Sequence, residues 1–189
     1  MTIEKLKTTD QFSSGLVANT QSGDAAKATG YYEIECRDKD GNLKWTDATK
    51  NLVVNVGLQY MAGTALTTTT QITSWYIGLY GAAASNSPAA TDTLAIHAGW
   101  TEITPYSGTR PAATFAAATN ANPSVVTNTA SKAQFTINAT ATVGGAFLCS
   151  ASSGTSGTLF SAADFSSPGD RSVVSGDVLS VTYTFSLSA

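Results

Sequence analysis

The sequence predicts a mainly β protein, either a jelly roll or a β-sandwich, with one short helix and an extended N-terminal arm. Ala, Thr, Ser and Gly contribute 29, 29, 21 and 16 of the 189 residues, so half of the chain has small side chains. The β-branched Thr suits a pleated strand, whereas the charged residues that favour exposed helices make up only 12% of the chain. Short apolar runs alternate with turn-forming residues, and the βαβ alternation of a parallel sheet is missing.

The chain divides into a predicted arm, residues 1–29, and a predicted β domain, residues 30–189. The arm is polar, and its apolar residues follow neither the helical nor the strand period. Phe12, Leu16 and Val17 are its candidate contacts with a neighbouring chain. The alternative is a chain terminus that contacts nothing.

The domain begins with a predicted β-hairpin and the single helix. Tyr32, Ile34 and Cys36 alternate with charged residues, and DKDGN supplies a turn before LKW runs back. Asp47 is the predicted N-cap of a helix of about three turns that stops at Gly63. The valines at the start of this segment also allow a strand.

Short strands account for the rest of the domain, and the last one gives the clearest signal. From Leu179 to Leu187, large apolar residues alternate with Ser and Thr, as in one wall of a two-sheet structure. The Ala-rich stretch from Arg110 to Val126 is predicted to be a loop plus a short strand, because prolines bracket it. The other predicted strands lie in WYIGLY, GWTEITPY, KAQFTIN, ATVGGAFLCS and GTLFSA.

Composition excludes several classes of function. Ten Lys and Arg against 13 Asp and Glu give a net charge of −3, too few cations for a nucleic-acid-binding face. No run approaches the roughly 18 apolar residues of a membrane span, and the opening MTIEKLKTTDQF lacks the apolar core of a signal peptide. We therefore expect a soluble protein made in the cytoplasm, with no nucleic acid or membrane as partner. In that compartment Cys36 and Cys149 are expected to stay reduced.

The charges are concentrated at the N-terminal end of the chain. Residues 1–50 hold 7 of the 10 basic and 8 of the 13 acidic residues, and residues 51–91 and 133–163 hold none. A free cytosolic protein normally intersperses charges over its surface for solubility. The pattern predicts that other subunits cover much of this protein.

The sequence predicts no catalytic, cofactor-binding or metal site. His97 is the only imidazole and has no GxSxG elbow near it, so a structural role is expected. Two Cys and one His exclude zinc clusters, and DKDGN lacks the spaced ligands of a calcium loop. A β-sandwich hydrolase stays a minor alternative, and turn roles are preferred for the carboxylates it would need. Those carboxylates are Asp92, Glu102, Asp164, Asp170 and Asp177.

Aromatic residues offer one further binding hypothesis. Several of them could form a platform on which sugars stack, although packing in a β core is the preferred interpretation. They are Trp75, Tyr76, Tyr80, Trp100 and Tyr106.

Four segments carry a resemblance to a known group of proteins. They are GYYEIECRDKDGNLKWTDATKNLVVNVGLQYM, WYIGLYG, PAATDTLAIHAGWTEITPYSGTRPAATF and a C-terminal stretch that ends in GDVLSVTYTFSLS. In order and spacing, over about residues 30–188, the chain resembles small virion structural proteins of tailed bacteriophages.

The resemblance implies a non-enzymatic protein without cofactors. It favours a capsid decoration, or cement, protein on the capsid surface, with the major capsid protein and further copies of itself as partners. A trimer is the favoured assembly. A tail or head-fibre component with a host-surface glycan site is the alternative, which the motifs leave open.

Overall fold

Eleven strands, one α-helix and one 3-10 helix make up the structure, a computed structural model that describes residues 26–81, 88–166 and 169–189. All pairings between these strands are antiparallel, which confirms the mainly β prediction with one α-helix. The helices are α1 (Asn55–Leu66) and the 3-10 helix Thr129–Ser131. The strands are β1 (Lys27–Arg37), β2 (Leu43–Lys50), β3 (Leu52–Val53), β4 (Tyr76–Tyr80), β5 (Ser124–Thr127), β6 (Ala133–Thr136), β7 (Ala141–Val143), β8 (Gly145–Cys149), β9 (Leu159–Asp164), β10 (Arg171–Val173) and β11 (Val178–Ser188).

The large sheet is built around the first and last strands of the domain. β1 lies between β2 and β11, and β5 and β6 pair one after the other with the remaining edge of β11. β1 and β11 pair along their whole length, with Lys27 opposite Ser188. Tyr32 is directly opposite Tyr183, and their ring centroids are 4.6 Å apart. Such cross-strand pairs stabilise a sheet and fix its register.

The small sheet has the order β3-β9-β8-β4 and packs face to face with the large sheet. Leu79 and Leu148 of the small sheet share one core with Ile34 of the large sheet. A hydrogen bond of 2.9 Å between the Tyr32 hydroxyl and Ser161 Oγ also links the two layers. The arrangement is that of a β-sandwich, with the two-stranded pair β7–β10 beside it.

The small sheet is covered on both faces. Phe147 and Cys149 point away from the large sheet into a second core, which Leu94 and Trp100 of the segment 88–100 close. Every residue of β8 is therefore buried. A strand covered on both sides is apolar throughout rather than alternating, as the sequence GAFLC of β8 is.

The helix prediction was right about the element and wrong about its ends. Asp47 lies within β2, and Val54 is the residue before the first helical turn. The Asp47 carboxylate does not cap a helix because it is buried and hydrogen-bonded to Arg171 and to the backbone of Ser166. Gly63 does not end the helix, which continues to Leu66.

Two other expectations also differ from the structure. GWTEITPY forms no regular strand, and its middle runs beside β4 through an isolated bridge between Tyr80 and Glu102. Leu187, predicted on the inward face of β11, is 43% exposed, whereas Phe185, two residues earlier on the same face, still packs against Phe160 of the small sheet. The predicted loop plus short strand is confirmed, the strand being β5.

The hairpin turn between β1 and β2 and the outer edge of β4 both have the backbone contacts that their positions require. Gly41 adopts a φ of 85° in the DKDGN turn, a left-handed conformation that favours glycine, and this confirms the predicted hairpin. The outer edge of β4 is covered, since Ile103 N donates to Leu79 O and Ala113 N donates to Trp75 O.

Among the described residues, the structure contains no helix with the length and apolarity to cross a membrane.

Candidate interaction surface

Charged side chains cover one part of the described surface and are nearly missing from the rest. Residues 27–50, the β1–β2 hairpin, carry ten of them, and the described residues beyond Lys50 carry eight. Of these eight, only Lys132 and Asp170 are exposed. The other six each have a polar partner inside the protein, and they are Asp92, Glu102, Arg110, Asp164, Arg171 and Asp177.

Arg110 illustrates how these charges are used. Its side chain is 3% exposed, and its guanidinium donates to both carboxylate oxygens of Glu102, at 2.7 and 2.6 Å. It also donates to the carbonyl oxygens of Ala151 and Gly154, each at 2.8 Å, and lies over the ring of Phe147. A nearly buried, bidentate pair of this kind fixes local geometry. Arg110 therefore holds the β8–β9 loop in place instead of contributing charge to the surface.

Two more ion pairs join the β1–β2 hairpin to the C-terminal part of the chain. Arg171 donates to the buried carboxylate of Asp47 at 2.8 Å. Lys44 donates to Asp177, whose side chain is 2% exposed. Both carboxylates are paired, as a buried ionised group must be.

The outer side of α1 is exposed and carries several apolar residues beside the polar Asn55 and Gln59. Leu58, Ala62 and Leu66 follow one another at intervals of four residues, which places them in one stripe beside Ala65. Leu58 is 44% and Leu66 is 86% exposed. The opposite side of the helix approaches β9, where a Cβ at Gly57 would lie well within 3.0 Å of the carbonyl oxygen of Phe160.

A second exposed apolar side chain lies close to the helix. Ile96 is 73% exposed and belongs to a turn in which Thr93 N donates to the Ile96 carbonyl at 2.9 Å. A groove of about 400 Å³ separates this turn from α1, and Val56 and Gln59 line its helical side. We refer to these exposed apolar residues of the helix and of the turn, Leu58, Ala62, Ala65, Leu66 and Ile96, as the helix–turn face.

His97 packs against Trp100 of the second core. Its ring stacks on Trp100 with centroids 3.7 Å apart and an interplanar angle of 12°. Nδ1 lies 2.8 Å from the Trp100 carbonyl oxygen, so the imidazole secures the turn that leads into Trp100. These contacts agree with the structural role expected of His97.

The candidate hydrolase carboxylates have separate structural partners. Asp92 accepts from the indole N–H of Trp100 at 3.0 Å, and Asp164 accepts from the Tyr80 hydroxyl at 2.6 Å. Asp177 accepts from the backbone of Val174, as expected for a turn residue. Asp170 is exposed. Among the described residues, no group of three or more His, Cys, Asp or Glu side chains is arranged to hold a metal ion.

The five candidate aromatic residues do not form one platform, and three of them pack in the cores, as the preferred interpretation expected. Tyr80, Trp100 and Tyr106 are at most 5% exposed and belong to the two cores. Trp75 and Tyr76 are half-buried, and they line a groove of about 490 Å³ between segments 71–76 and 112–115. The groove also contains Phe115, Gln71 and Thr114, and no charged residue lines it.

Burial changes the acidity of the core hydroxyl groups. Desolvation raises the pKa of Tyr32 and of Tyr183 well above the usual range. It also raises the pKa of Tyr80, to which the hydrogen bond with Asp164 adds. Burial, together with the nearby carboxylate of Glu102, raises the pKa of Tyr106 to about 12. These four rings are therefore neutral at physiological pH.

The two cysteines lie in different cores and form no disulfide. Burial raises the pKa of the Cys36 thiol to about 11, and it also raises the pKa of Cys149. A thiol that is buried and protonated is a poor nucleophile. Both residues serve as small apolar core residues.

The arm contacts predicted from the sequence, Phe12, Leu16 and Val17, lie outside the described residues. β1 begins at Lys27, so the last three residues assigned to the arm, 27–29, belong to the large sheet. Comparisons with protein-family models, curated proteins and solved structures found no match to this chain. The resemblance to bacteriophage virion proteins stays a prediction.

Sequence reasoning did not identify the helix–turn face, although its helical part left a signal. Leu58, Ala62 and Leu66 show the four-residue spacing of a helix stripe, and the surrounding residues 51–91 have no charge. A helix whose outer stripe is apolar indicates a covered surface. Ile96, in contrast, is contributed by a segment without a regular period, so the sequence alone could not bring it next to the helix.

Proposed function

We propose that the protein is a non-enzymatic structural component of a bacteriophage virion, and that it is a capsid decoration protein. One observation carries this proposal: beyond Lys50, the described surface presents only two exposed charges, Lys132 and Asp170. The remaining charges of this part form contacts within the domain. A surface so poor in charge is a liability for a free protein, and it is tolerable where neighbouring subunits cover it.

The fold provides what a shell-binding protein requires. A sandwich with paired and covered strands presents fixed surfaces, and the covered edge of β4 limits uncontrolled strand pairing. Each copy that binds an assembled shell stabilises it relative to free subunits by mass action. Many copies on one particle add avidity, so each single contact can be small. The hairpin 27–50, which carries both signs of charge, is the surface we assign to the major capsid protein.

Immunogold labelling tests the assignment. Antibodies raised against the recombinant protein are applied to particles produced from the genome that encodes the chain, and to particles with the gene deleted as the control. We expect label over the whole shell of the first particles and none on the second. The absence of label from every particle would overturn the virion role.

A tail or head-fibre component is the second candidate, and the groove beside β4 favours it. Half-buried Trp75, Tyr76 and Phe115, together with uncharged polar groups, offer the stacking faces and hydrogen-bonding partners that a neutral glycan uses. In the same labelling experiment, gold confined to the tail or to fibres selects this candidate. A Trp75→Ala variant tested on an array of neutral glycans then shows whether the groove binds sugar, since loss of signal with this change is the expected result.

A further inference from the structure

We propose that the outer edge of β2 binds residues 1–14 of the same chain as an additional strand. β2 ends the large sheet on one side, and only its other side is paired, with β1. Thr46 and Ala48 are exposed, and none of the described residues pairs with their backbone N–H and C=O groups. A row of unpaired backbone groups is a template for one further strand, so the chemistry of this edge specifies an extended backbone as its partner.

The register of the β1–β2 pair identifies the backbone groups that face outwards. Asn51 N donates to Gly30 O at 3.0 Å, immediately beyond the end of β2. Hydrogen-bonded and non-hydrogen-bonded pairs alternate along an antiparallel ladder, so Asp47 and Thr49 direct their N–H groups at β1. The alternate residues of β2, Ala48 among them, direct theirs away from the sheet.

β2 differs in this respect from the other edge strands. Every other edge strand of at least four described residues has a backbone partner on its outer side, as β4 does. On β5, Thr127 O accepts from Ala116 N. On β6, Thr136 O accepts from Ser107 N. β2, with eight residues, is therefore the longest strand whose edge the described residues leave open, and proteins commonly cover such an edge with their own chain.

The segment that precedes β1 has the composition and the length to reach this edge. Residues 1–14 contain neither proline nor glycine, so each of them is able to join a ladder, and residues 15–26 link them to β1. By strand geometry, the two ends of β2 lie roughly 15 and 35 Å from Lys27. A linker of this length spans about 20 Å on average and about 40 Å when extended. Tethering at such a distance gives the segment an effective concentration of about millimolar at the edge, which favours it over any free partner.

Trp45 of β2 provides a second, independent observation. Its indole N–H is buried and has no acceptor among the described residues. Buried polar groups are rarely left unpaired in folded proteins. A strand alongside β2 brings carbonyl oxygens and polar side chains next to Trp45, and so supplies acceptors that the described part of the chain does not.

Amide hydrogen exchange of the full chain, followed by NMR, tests the proposal at the edge itself. The N–H groups of Thr46 and Ala48 should exchange at least about a hundredfold more slowly than in an unstructured peptide, because the added strand bonds to them. Asp47 and Thr49, whose N–H groups bond to β1, report whether the sheet is intact in every sample. Rapid exchange of Thr46 and Ala48 in the unaltered chain overturns the proposal.

Two proline variants identify the segment that binds. Thr8→Pro together with Thr9→Pro removes a donor from residues 1–14 whichever of the two faces β2, so the protection should fall at least about tenfold. Thr20→Pro together with Gln21→Pro makes the same change in the linker, is the matched control, and should leave the protection unchanged. Protection that survives the first variant, or that is lost equally in the control, overturns the assignment to residues 1–14.

Sedimentation equilibrium of the same samples distinguishes the chain's own segment from that of a second copy. We expect the protection in monomers and independently of concentration, because the segment is tethered to the strand that it covers. Protection that appears only in oligomers assigns the added strand to a second copy and overturns binding within one chain. These outcomes do not depend on the virion role, since they are measured on the isolated chain and shell labelling is not among them.

Discussion

Replacing Arg110 by Met should strongly destabilise the protein. The change leaves the Glu102 carboxylate without its bidentate partner and removes the donor from the carbonyls of Ala151 and Gly154. Breaking a buried ion pair from one side costs about 3–5 kcal/mol. The Glu102 side chain is 23% exposed and regains some hydration, so the lower part of this range applies, about 3 kcal/mol. For a chain of this size, that lowers the melting temperature by about 6–12 °C.

The assay is thermal and urea unfolding followed by circular dichroism. Arg37→Met is the control, because Arg37 pairs with Glu35 on the surface and its side chain is 47% exposed, so the melting temperature should hardly change. Adding Glu102→Gln to Arg110→Met should recover part of the loss, since no unpaired charge then remains. The reasoning fails if Arg110→Met melts within about 2 °C of the unaltered protein, a difference of less than 1 kcal/mol.

Two further predictions concern the helix and the core. Gly57→Ala should lower the free energy of unfolding in urea, because the new methyl group meets the backbone of Phe160. Ala normally stabilises a helix interior by about 0.5–1 kcal/mol relative to Gly, so a more stable variant would show that α1 does not dock there. The raised pKa values of Tyr32, Tyr80, Tyr106 and Tyr183 mean that the folded state retains protons that unfolded tyrosine, of pKa about 10, releases. The free energy of unfolding should therefore be constant up to pH 10 and decline towards pH 12 and above. Tyrosinate absorbance should appear together with the loss of circular dichroism, whereas ionisation of all seven tyrosines near pH 10 in a folded protein would contradict this prediction.

Local patterns in the sequence predicted most of the fold. The alternation around Tyr32 and Ile34, the glycine turn at Gly41 and the apolar run of β8 reflect constraints that act within a few residues. They correctly indicated a hairpin, a β-sandwich and a single α-helix.

Long-range partners explain what the sequence could not show. Asp47 has the residue type and the position expected of a helix N-cap, but its carboxylate pairs with Arg171, 124 residues further along the chain. The Arg110 contacts reach from Glu102 to Gly154, and no spacing rule joins such residues. For the candidate surface, the sequence indicated that charge is scarce, and only the structure showed that most of the remaining charges beyond Lys50 are used internally.

The pairing of β1 with β11 has a consequence for biosynthesis. Lys27 and Ser188 are 161 residues apart, so at about 5–20 residues per second the ribosome delivers the partner of β1 roughly 8–30 s after β1 itself. During that interval β1 has only β2 beside it, and an isolated hairpin is marginally stable in water. Tyr32 and Ile34 then lie on an uncovered surface of the nascent chain. The protein must complete its largest sheet after translation has passed β11, and a chaperone that shields the early hairpin should increase the yield of folded chains.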